Sequence, residues 1–160
     1  MGIHYIDEQN YDLQKALEYL QKSAEQNNSN AQQLLGQIYV YGYENIPKDV
    51  SKGIDYLNKS VKQKNKFALY FLGVIYYEGE LVNRNVNQAL EYLNASSDQN
   101  FYDAQYFLGS IYYEGKFIIR NTDKAIHFAT LASNHKKAEA QRLLGQIYIN
   151  KIPSFKVSFG

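Results

Sequence analysis

The sequence predicts an all-α fold made of helix-turn-helix repeats, each about 36 residues long. Three observations predict it. The block Ala-x-x-x-Leu-Gly-x-x-Tyr occurs four times, apolar residues recur with helical spacing within and after each block, and a turn containing glycine separates successive helical patterns. The block glycines are 37, 36 and 36 residues apart, at Gly36, Gly73, Gly109 and Gly145. Such a fixed period indicates stacked copies of one unit.

The composition is typical of a globular protein and argues against several classes of function. The chain has 160 residues, of which 45% are hydrophobic and 21% charged, and its net charge of +1 gives no broad field that would attract nucleic acid or an anionic membrane. The absence of Cys excludes disulfides, thiolate metal sites and a Cys nucleophile. No apolar run approaches the roughly 20 residues of a membrane span. Residues 1–8 lack the basic and apolar regions of a signal peptide, so we expect a cytoplasmic protein.

The first complete unit, residues 31–66, begins with a helix that we call helix A. Its apolar positions lie at i, i+3, i+4, i+7 and i+8, which is one face of a helix. They are Ala31, Leu34, Leu35, Ile38 and Tyr39. Gly42 and Pro47 then indicate a turn.

A second helix, helix B, follows this turn. Asp49 is placed to cap it, and the equivalent positions in later units are Asn85 and Asn121. The apolar or small residues of helix B have the same spacing as those of helix A. They are Gly53, Tyr56, Leu57, Ser60 and Val61. The turn glycine recurs as Gly79 and Gly115.

The repeat period divides the chain into three full units with a half unit on each side. We predict an N-terminal segment 1–11, a repeat array 12–150 and a C-terminal tail 151–160. The half units, 12–30 and 140–150, are a helix B with no helix A before it and a helix A with no helix B after it. The full units are residues 31–66, 67–103 and 104–139.

Two sets of repeated residues are predicted to have structural roles. A glycine inside a helix costs about 1 kcal/mol relative to alanine, so its recurrence at one phase indicates that helix B approaches too closely for a Cβ atom. The repeated tyrosines lie on the apolar face of helix A, and we expect them in the core. They are Tyr39, Tyr76, Tyr112 and Tyr148.

No pattern in the sequence indicates catalysis or a cofactor. His4, His127 and His135 lack the spacing of metal ligands. No P-loop, GxGxxG, HExxH or GxSxG string is present. We therefore expect no catalytic residue, cofactor or metal, and a protein that is not an enzyme.

Several segments of the chain resemble the Sel1-like repeat family, a relative of the tetratricopeptide repeat. Tyr76-Tyr-Glu-Gly79 and Tyr112-Tyr-Glu-Gly115 resemble its helix A end, and Gln88-Ala89-Leu-Glu-Tyr92 resembles its helix B start. The resemblance covers residues 12–150. It implies a right-handed α-solenoid that acts as a scaffold or adaptor, for example in signalling, with A helices on the concave face and B helices on the convex face.

The solvent-facing positions of helix A form three columns across the units, and all of them except Val40 and Ile149 are the candidate protein-binding positions. They vary between units while the core positions do not. The first column is Gln33, Tyr70, Tyr106 and Arg142, the second is Gln37, Val74, Ser110 and Gln146, and the third is Val40, Tyr77, Tyr113 and Ile149. Our hypothesis is that an uncharged, partly apolar peptide lies across Tyr70, Tyr77, Tyr106 and Tyr113. The alternative is that these tyrosines pack between adjacent A helices or against another chain.

The columns favour a protein or extended peptide as the partner. They carry too little Arg or Lys for nucleic acid, and nothing indicates a membrane. The leading function is a protein–protein interaction scaffold, and the alternative is a dedicated inhibitor or immunity-type binder of a single enzyme. A basic stretch between Lys48 and Lys66 is predicted to be a solvated convex face, with an acidic protein partner as the alternative.

The two half units leave apolar residues without a further layer, so self-association through the ends is a possible second contact. In the tail, Ile152, Phe155, Val157 and Phe159 follow an alternating apolar pattern. This tail could cap the last helix A, dock on another copy, or continue into a longer array.

Deletion of residues 152–160 distinguishes these roles of the tail. A cap predicts a lower melting temperature with an unchanged mass in solution, because the last helix loses its cover. A contact between copies predicts a change of mass, measured by light scattering. If both quantities stay unchanged, the tail has neither role.

Overall fold

The computed structural model describes residues 2–153, and the side chains of residues 12–153. Within that range the chain forms eight α-helices and no β-strand. The helices are α1 (Gly2–Glu25), α2 (Ser29–Tyr41), α3 (Val50–Lys62), α4 (Lys66–Glu78), α5 (Val86–Ser97), α6 (Tyr102–Glu114), α7 (Thr122–Asn134) and α8 (Ala138–Ile149). The predicted all-α repeat fold is confirmed, whereas the right-handed superhelix stays a prediction.

The helices alternate between the two predicted types. The A helices are α2, α4, α6 and α8, and the B helices are α3, α5 and α7. Helix α1 carries the B pattern from Asp12 onward, but it is continuous from Gly2 and so runs through the segment 1–11. The unit boundaries drawn from the period stay predictions. Of the alternating tail residues, Phe155, Val157 and Phe159 lie outside the described residues.

The chain forms two compact units that divide within α4, between Leu72 and Gly73. In the first unit, α1, α2 and the following turn bury a continuous apolar cluster: Leu17, Ala24, Ala31, Leu35, Tyr39 and Ile46. In the second unit, α7 and α8 bury Ala125, Ala129, Leu143 and Ile147, against which Tyr106, Tyr112 and Tyr113 of α6 pack. Each large apolar side chain buried in this way contributes about 1.5–3 kcal/mol to stability.

Every A–B turn is closed by the same two hydrogen bonds at the cap residue. The backbone N–H groups of Asp49, Asn85 and Asn121 donate to the carbonyl oxygens of Tyr39, Tyr76 and Tyr112, at 2.7, 3.0 and 2.9 Å. The cap side chains accept from the N–H groups of Lys52, Gln88 and Lys124, at 3.0, 3.1 and 2.9 Å. The predicted caps are confirmed, and each satisfies an N–H group that has no partner within its helix.

The turn glycines have the backbone conformation that explains their recurrence. Gly42, Gly79 and Gly115 have φ angles of +75°, +65° and +65°, where side chains with a Cβ atom are strained. Space is also limited, because a Cβ atom on Gly79 would lie 2.5 Å from Cβ of Arg84. The turn therefore requires glycine.

The glycines inside the A helices mark the close approach of helix B, as predicted, in all but the last helix. A Cβ atom on Gly36 would lie 2.6 Å from Cγ of Leu57, and one on Gly73 would lie 2.6 Å from Cγ of Leu93. At Gly109 the nearest atom is the backbone nitrogen of Ala129, at 3.1 Å. The prediction is wrong for Gly145, which has no described atom within 4 Å, because no B helix follows α8 in the described residues.

The repeated tyrosines of the first three A helices contact an aromatic ring of the following helix B, whereas that of α8 does not. Tyr39 is buried and stacks on Tyr56 of α3, with ring centroids 5.9 Å apart, and half-buried Tyr112 stacks on Phe128 of α7 at 6.0 Å. Half-buried Tyr76 lies 6.1 Å from Tyr92 of α5.

Tyr148 is 53% exposed, so the expected core position is wrong there. Its ring has no equivalent aromatic residue to stack on within residues 2–153.

The substitutions Gly73→Ala and Gly145→Ala form a matched pair that tests the close approach. Gly73→Ala is expected to destabilise the protein by about 1–3 kcal/mol, since the new methyl group overlaps fully buried Leu93. Gly145→Ala is expected to stabilise it by up to about 1 kcal/mol through helix propensity alone. Urea denaturation measures both changes. Equal effects at the two positions would contradict the packing argument.

Candidate protein-binding surface

The three predicted columns differ in exposure. Gln33, Val40 and Tyr77 are only 7%, 0% and 6% exposed, so the prediction that the columns face solvent is wrong at these positions. Val40 fills the space left by Gly53, where a Cβ atom would lie 2.5 Å from Cγ2 of Val40. The half-buried members are Gln37, Tyr70, Val74, Tyr106, Ser110 and Tyr113, and the exposed members are Arg142, Gln146 and Ile149.

Tyr77, at the end of α4, packs within the second unit. Its ring meets Phe107 of α6 edge to face at a centroid distance of 5.7 Å, and it meets Phe117 of the α6–α7 turn in the same way at 5.3 Å. The alternative interpretation, packing against an adjacent A helix, is therefore correct for Tyr77. The role of Phe117 could not be predicted from the repeat because its position does not repeat. The residues two places after the other turn glycines are Glu44 and Leu81.

Arg84 holds the end of α4 against this aromatic cluster. Its Nε donates to the carbonyl oxygen of Tyr77 at 3.0 Å, and its Nη2 donates to that of Glu78 at 2.6 Å. Its Cζ lies 3.8 Å from the centroid of the Phe117 ring. The guanidinium thus satisfies carbonyl groups at the negative end of a helix and stacks on an aromatic face.

A cleft of about 310 Å³ lies among these residues. Its aromatic walls are Tyr77, Phe107 and Phe117, and charged side chains from the ends of α4 and α6 and from the turns after them surround it. The charged residues are Glu78, Glu80, Arg84, Glu114 and Lys116.

The electrostatic environment of the cleft penalises negative charge on its own residues. Burial raises the pKa of the Tyr77 hydroxyl, and the nearby Glu114 carboxylate raises it further. Burial also raises the pKa of Glu78, with an additional contribution from Glu80. The Tyr77 hydroxyl is buried without a hydrogen-bond partner among the described residues. The Phe117 backbone amide acts in the opposite direction and lowers the Tyr77 pKa, although it does not form a hydrogen bond with the hydroxyl.

Two of the half-buried tyrosines of α6, Tyr106 and Tyr113, lie beside cations. Lys137 donates to Asp103 at 2.6 Å, and its Nζ lies 5.4 Å from the centroid of the Tyr106 ring. Arg120 lies 4.8 Å from the Tyr113 ring, and the Tyr113 hydroxyl accepts a hydrogen bond from the Asn150 side chain. Because α6 also contacts α8, Tyr106 and Tyr113 of α6 lie on a helix that packs against the next A helix, α8.

Two further findings concern other kinds of site. Between residues 2 and 153, no helix combines the length and the apolar character that crossing a bilayer requires. The side chains described in that range include no group of three His, Cys, Asp or Glu residues that could hold a metal ion.

The repeat that the fold is built from matches a known family. The model of the Sel1 repeat matches residues 2–28, 29–65, 66–101 and 103–136. The chain belongs to the Sel1 repeat family. Proteins of this family generally act as scaffolds for protein interactions and are typically not enzymes. No curated protein sequence matches the chain.

Solved structures of other Sel1 repeat proteins are similar to this one. A protective antigen of uropathogenic Escherichia coli strains with an SLR fold is 28% identical, with a TM-score of 0.79 over 84% of this chain. A Sel1 repeat protein from Oxalobacter formigenes is 27% identical, with a TM-score of 0.75 over 84% of the chain. Cysteine rich protein B of Helicobacter pylori is 25% identical, with a TM-score of 0.61 over 83%.

The lengths of these relatives differ from that of this chain. The chain spans 29% of the Escherichia coli protein and 55% of the Oxalobacter formigenes protein, but 95% of the Helicobacter pylori protein. Sel1 repeat arrays thus occur in proteins of very different length.

Removal of single hydroxyl groups tests whether the buried Tyr77 hydroxyl lacks a hydrogen-bond partner. Tyr77→Phe is expected to raise the free energy of unfolding by about 1 kcal/mol, because it deletes a buried polar atom that has no partner. Tyr39→Phe is the matched control, since the Tyr39 hydroxyl accepts a hydrogen bond from Gln21 at 3.2 Å. It is expected to lower stability by about 0.5–1.5 kcal/mol. Urea denaturation of both variants is the measurement, and a loss of stability in Tyr77→Phe would show that its hydroxyl is satisfied.

Proposed function

We propose that this Sel1 repeat protein is an interaction scaffold or adaptor that binds a protein or an extended peptide through its A helices. The A-helix surface of the second unit, defined as Tyr106, Ser110, Tyr113, Arg142 and Gln146, forms the main contact. The single observation that carries this proposal is that Tyr106 and Tyr113 of α6 are half-buried and that each lies near a cation. In the first unit, Gln37 and Tyr70 remain candidates for further contacts.

Rings placed in this way suit protein recognition. A tyrosine supplies a large apolar area and a polar hydroxyl, and residues of this type are enriched among those that dominate binding energy. The neighbouring Lys137 and Arg120 already restrict Tyr106 and Tyr113, so that binding removes little of their rotamer freedom.

The chemistry of the surface favours a protein over nucleic acid. Of the five residues that define it, only Arg142 is cationic, and the whole chain has a net charge of +1. Nucleic-acid readers need many cations for phosphate contacts. Within the family resemblance, this A-helix surface corresponds to the concave face.

Selection from a displayed library of random peptides tests the proposal without a known partner. Enriched peptides are synthesised with a fluorescent label, and their dissociation constants are measured by anisotropy. Tyr106→Ala combined with Gln146→Ala is expected to weaken binding about ten-fold or more, as expected for the loss of an aromatic anchor.

The matched control changes exposed residues of B helices. Glu91→Ala combined with Thr130→Ala lies on α5 and α7, and it is expected to leave the affinity unchanged. Circular dichroism melting establishes that both variants are folded. Failure to enrich any peptide, or equal affinity for the parent and the Tyr106 variant, contradicts the proposal.

A further inference from the structure

The cleft at Tyr77 and Phe117 differs from the A-helix surface in its charge. Three carboxylates surround it, from Glu78 at the end of α4, Glu80 in the following turn and Glu114 at the end of α6. Within the described part of the chain, none of the three forms an ion pair. The carbonyl ends of α4 and α6 add partial negative charge at the same place.

We infer that this cleft is a pocket for one basic side chain, a lysine or an arginine, of the bound protein segment. The inference rests on the proposed function, because it names the chemistry that the partner presents beside the A-helix surface. It replaces the hypothesis of an uncharged peptide at this position.

The cations already present in the cleft do not neutralise it. The Arg84 guanidinium is engaged by the carbonyl oxygens of Tyr77 and Glu78 and by the face of Phe117. The Lys116 Nζ lies 4.9 Å from the centroid of the same ring. Three carboxylates against two cations leave the lining of the cleft with a formal net charge of −1, which favours a cationic ligand over an anionic one.

The Tyr77 hydroxyl is an independent sign of a missing ligand. The residue is 6% exposed, its hydroxyl has no described partner, and its side chain lines the cleft. Glu114 and Arg84, whose charges act on this hydroxyl, line the same cleft as Tyr77. A hydroxyl oxygen accepts N–H donors, so an incoming ammonium or guanidinium group supplies the bond that the folded chain leaves unmade.

The size and the walls of the cleft suit a single long side chain. A volume of about 310 Å³ is at the small end of the range for ligand sites, which is roughly 300–1,000 Å³. The aliphatic part of a lysine or arginine can lie along Phe107 and Ile111 while its charged group stays near the carboxylates.

Titration with blocked amino acids tests the pocket directly. N-acetyl-arginine amide and N-acetyl-lysine amide are added to ¹⁵N-labelled protein, and the backbone amide signals of Glu114, Lys116 and Phe117 are followed by NMR. At least one of the two is expected to shift these signals saturably. N-acetyl-citrulline amide, the uncharged isostere of the arginine probe, is expected to bind about ten-fold more weakly or worse than the cationic probe, since it lacks the charge.

Three variants locate the binding site. Glu114→Gln and Tyr77→Phe are each expected to weaken binding of the cationic probe by roughly five-fold, because each removes one polar contact. Glu91→Gln makes the same change of charge on an exposed residue of α5, away from the cleft, and is expected to have no effect. The NMR spectra of the free variants show whether each is folded.

The outcomes separate this inference from the proposed function. Equal binding of the citrulline probe, binding of N-acetyl-glutamate amide instead, the absence of any saturable shift, or an unchanged affinity in Glu114→Gln overturns the inference. The proposed function is judged by the displayed peptides. Peptides that depend on Tyr106 but contain no basic residue would support the scaffold and eliminate the cationic pocket.

Discussion

The close crossing of helix A and helix B is the constraint on which the other features of the repeat depend. It requires a glycine on the A side, as at Gly36 against Leu57 and at Gly73 against Leu93. The same crossing brings the A-helix tyrosine onto an aromatic ring of helix B, and it leaves a short turn that only a left-handed glycine can make. Where the described chain has no B helix, at α8, the glycine has open space beside it and Tyr148 is exposed.

The features that repeat were predictable because the interactions that cause them are repeated in each unit. The caps Asp49, Asn85 and Asn121 and the turn glycines can be located from one unit and transferred to the next by the period. Burial could not be transferred in this way. Tyr77 is buried by Phe117, a residue at a position that varies between turns. The predicted solvent-facing columns required equivalent helix A positions to have the same surroundings in every unit, and Tyr77 does not.

The contrast between repeated and non-repeated positions also explains why the sequence predicted only part of the candidate site. Tyr106 and Tyr113 were found because they lie on a helix face whose spacing is known. The acidic cleft was missed because Glu78 and Glu114 recur as the last residues of their helices, which is also what a purely structural end would show. They become part of a pocket only because Arg84 and Phe117 close an aromatic cluster between them.

Gly53 gives the first full repeat a property that the others lack. A Cβ atom there would lie 2.6 Å from the backbone nitrogen of Val40 and 2.7 Å from the carbonyl oxygen of Gly36, so α2 and α3 meet main chain against main chain. The later B helices carry Ala89 and Ala125 at this position. The repeats are therefore not interchangeable modules: a recombinant array that joined α2 to a later B helix would have to separate the two backbones. Shuffling of such units, in evolution or in design, has to treat each A–B pair as the smallest part that can be moved.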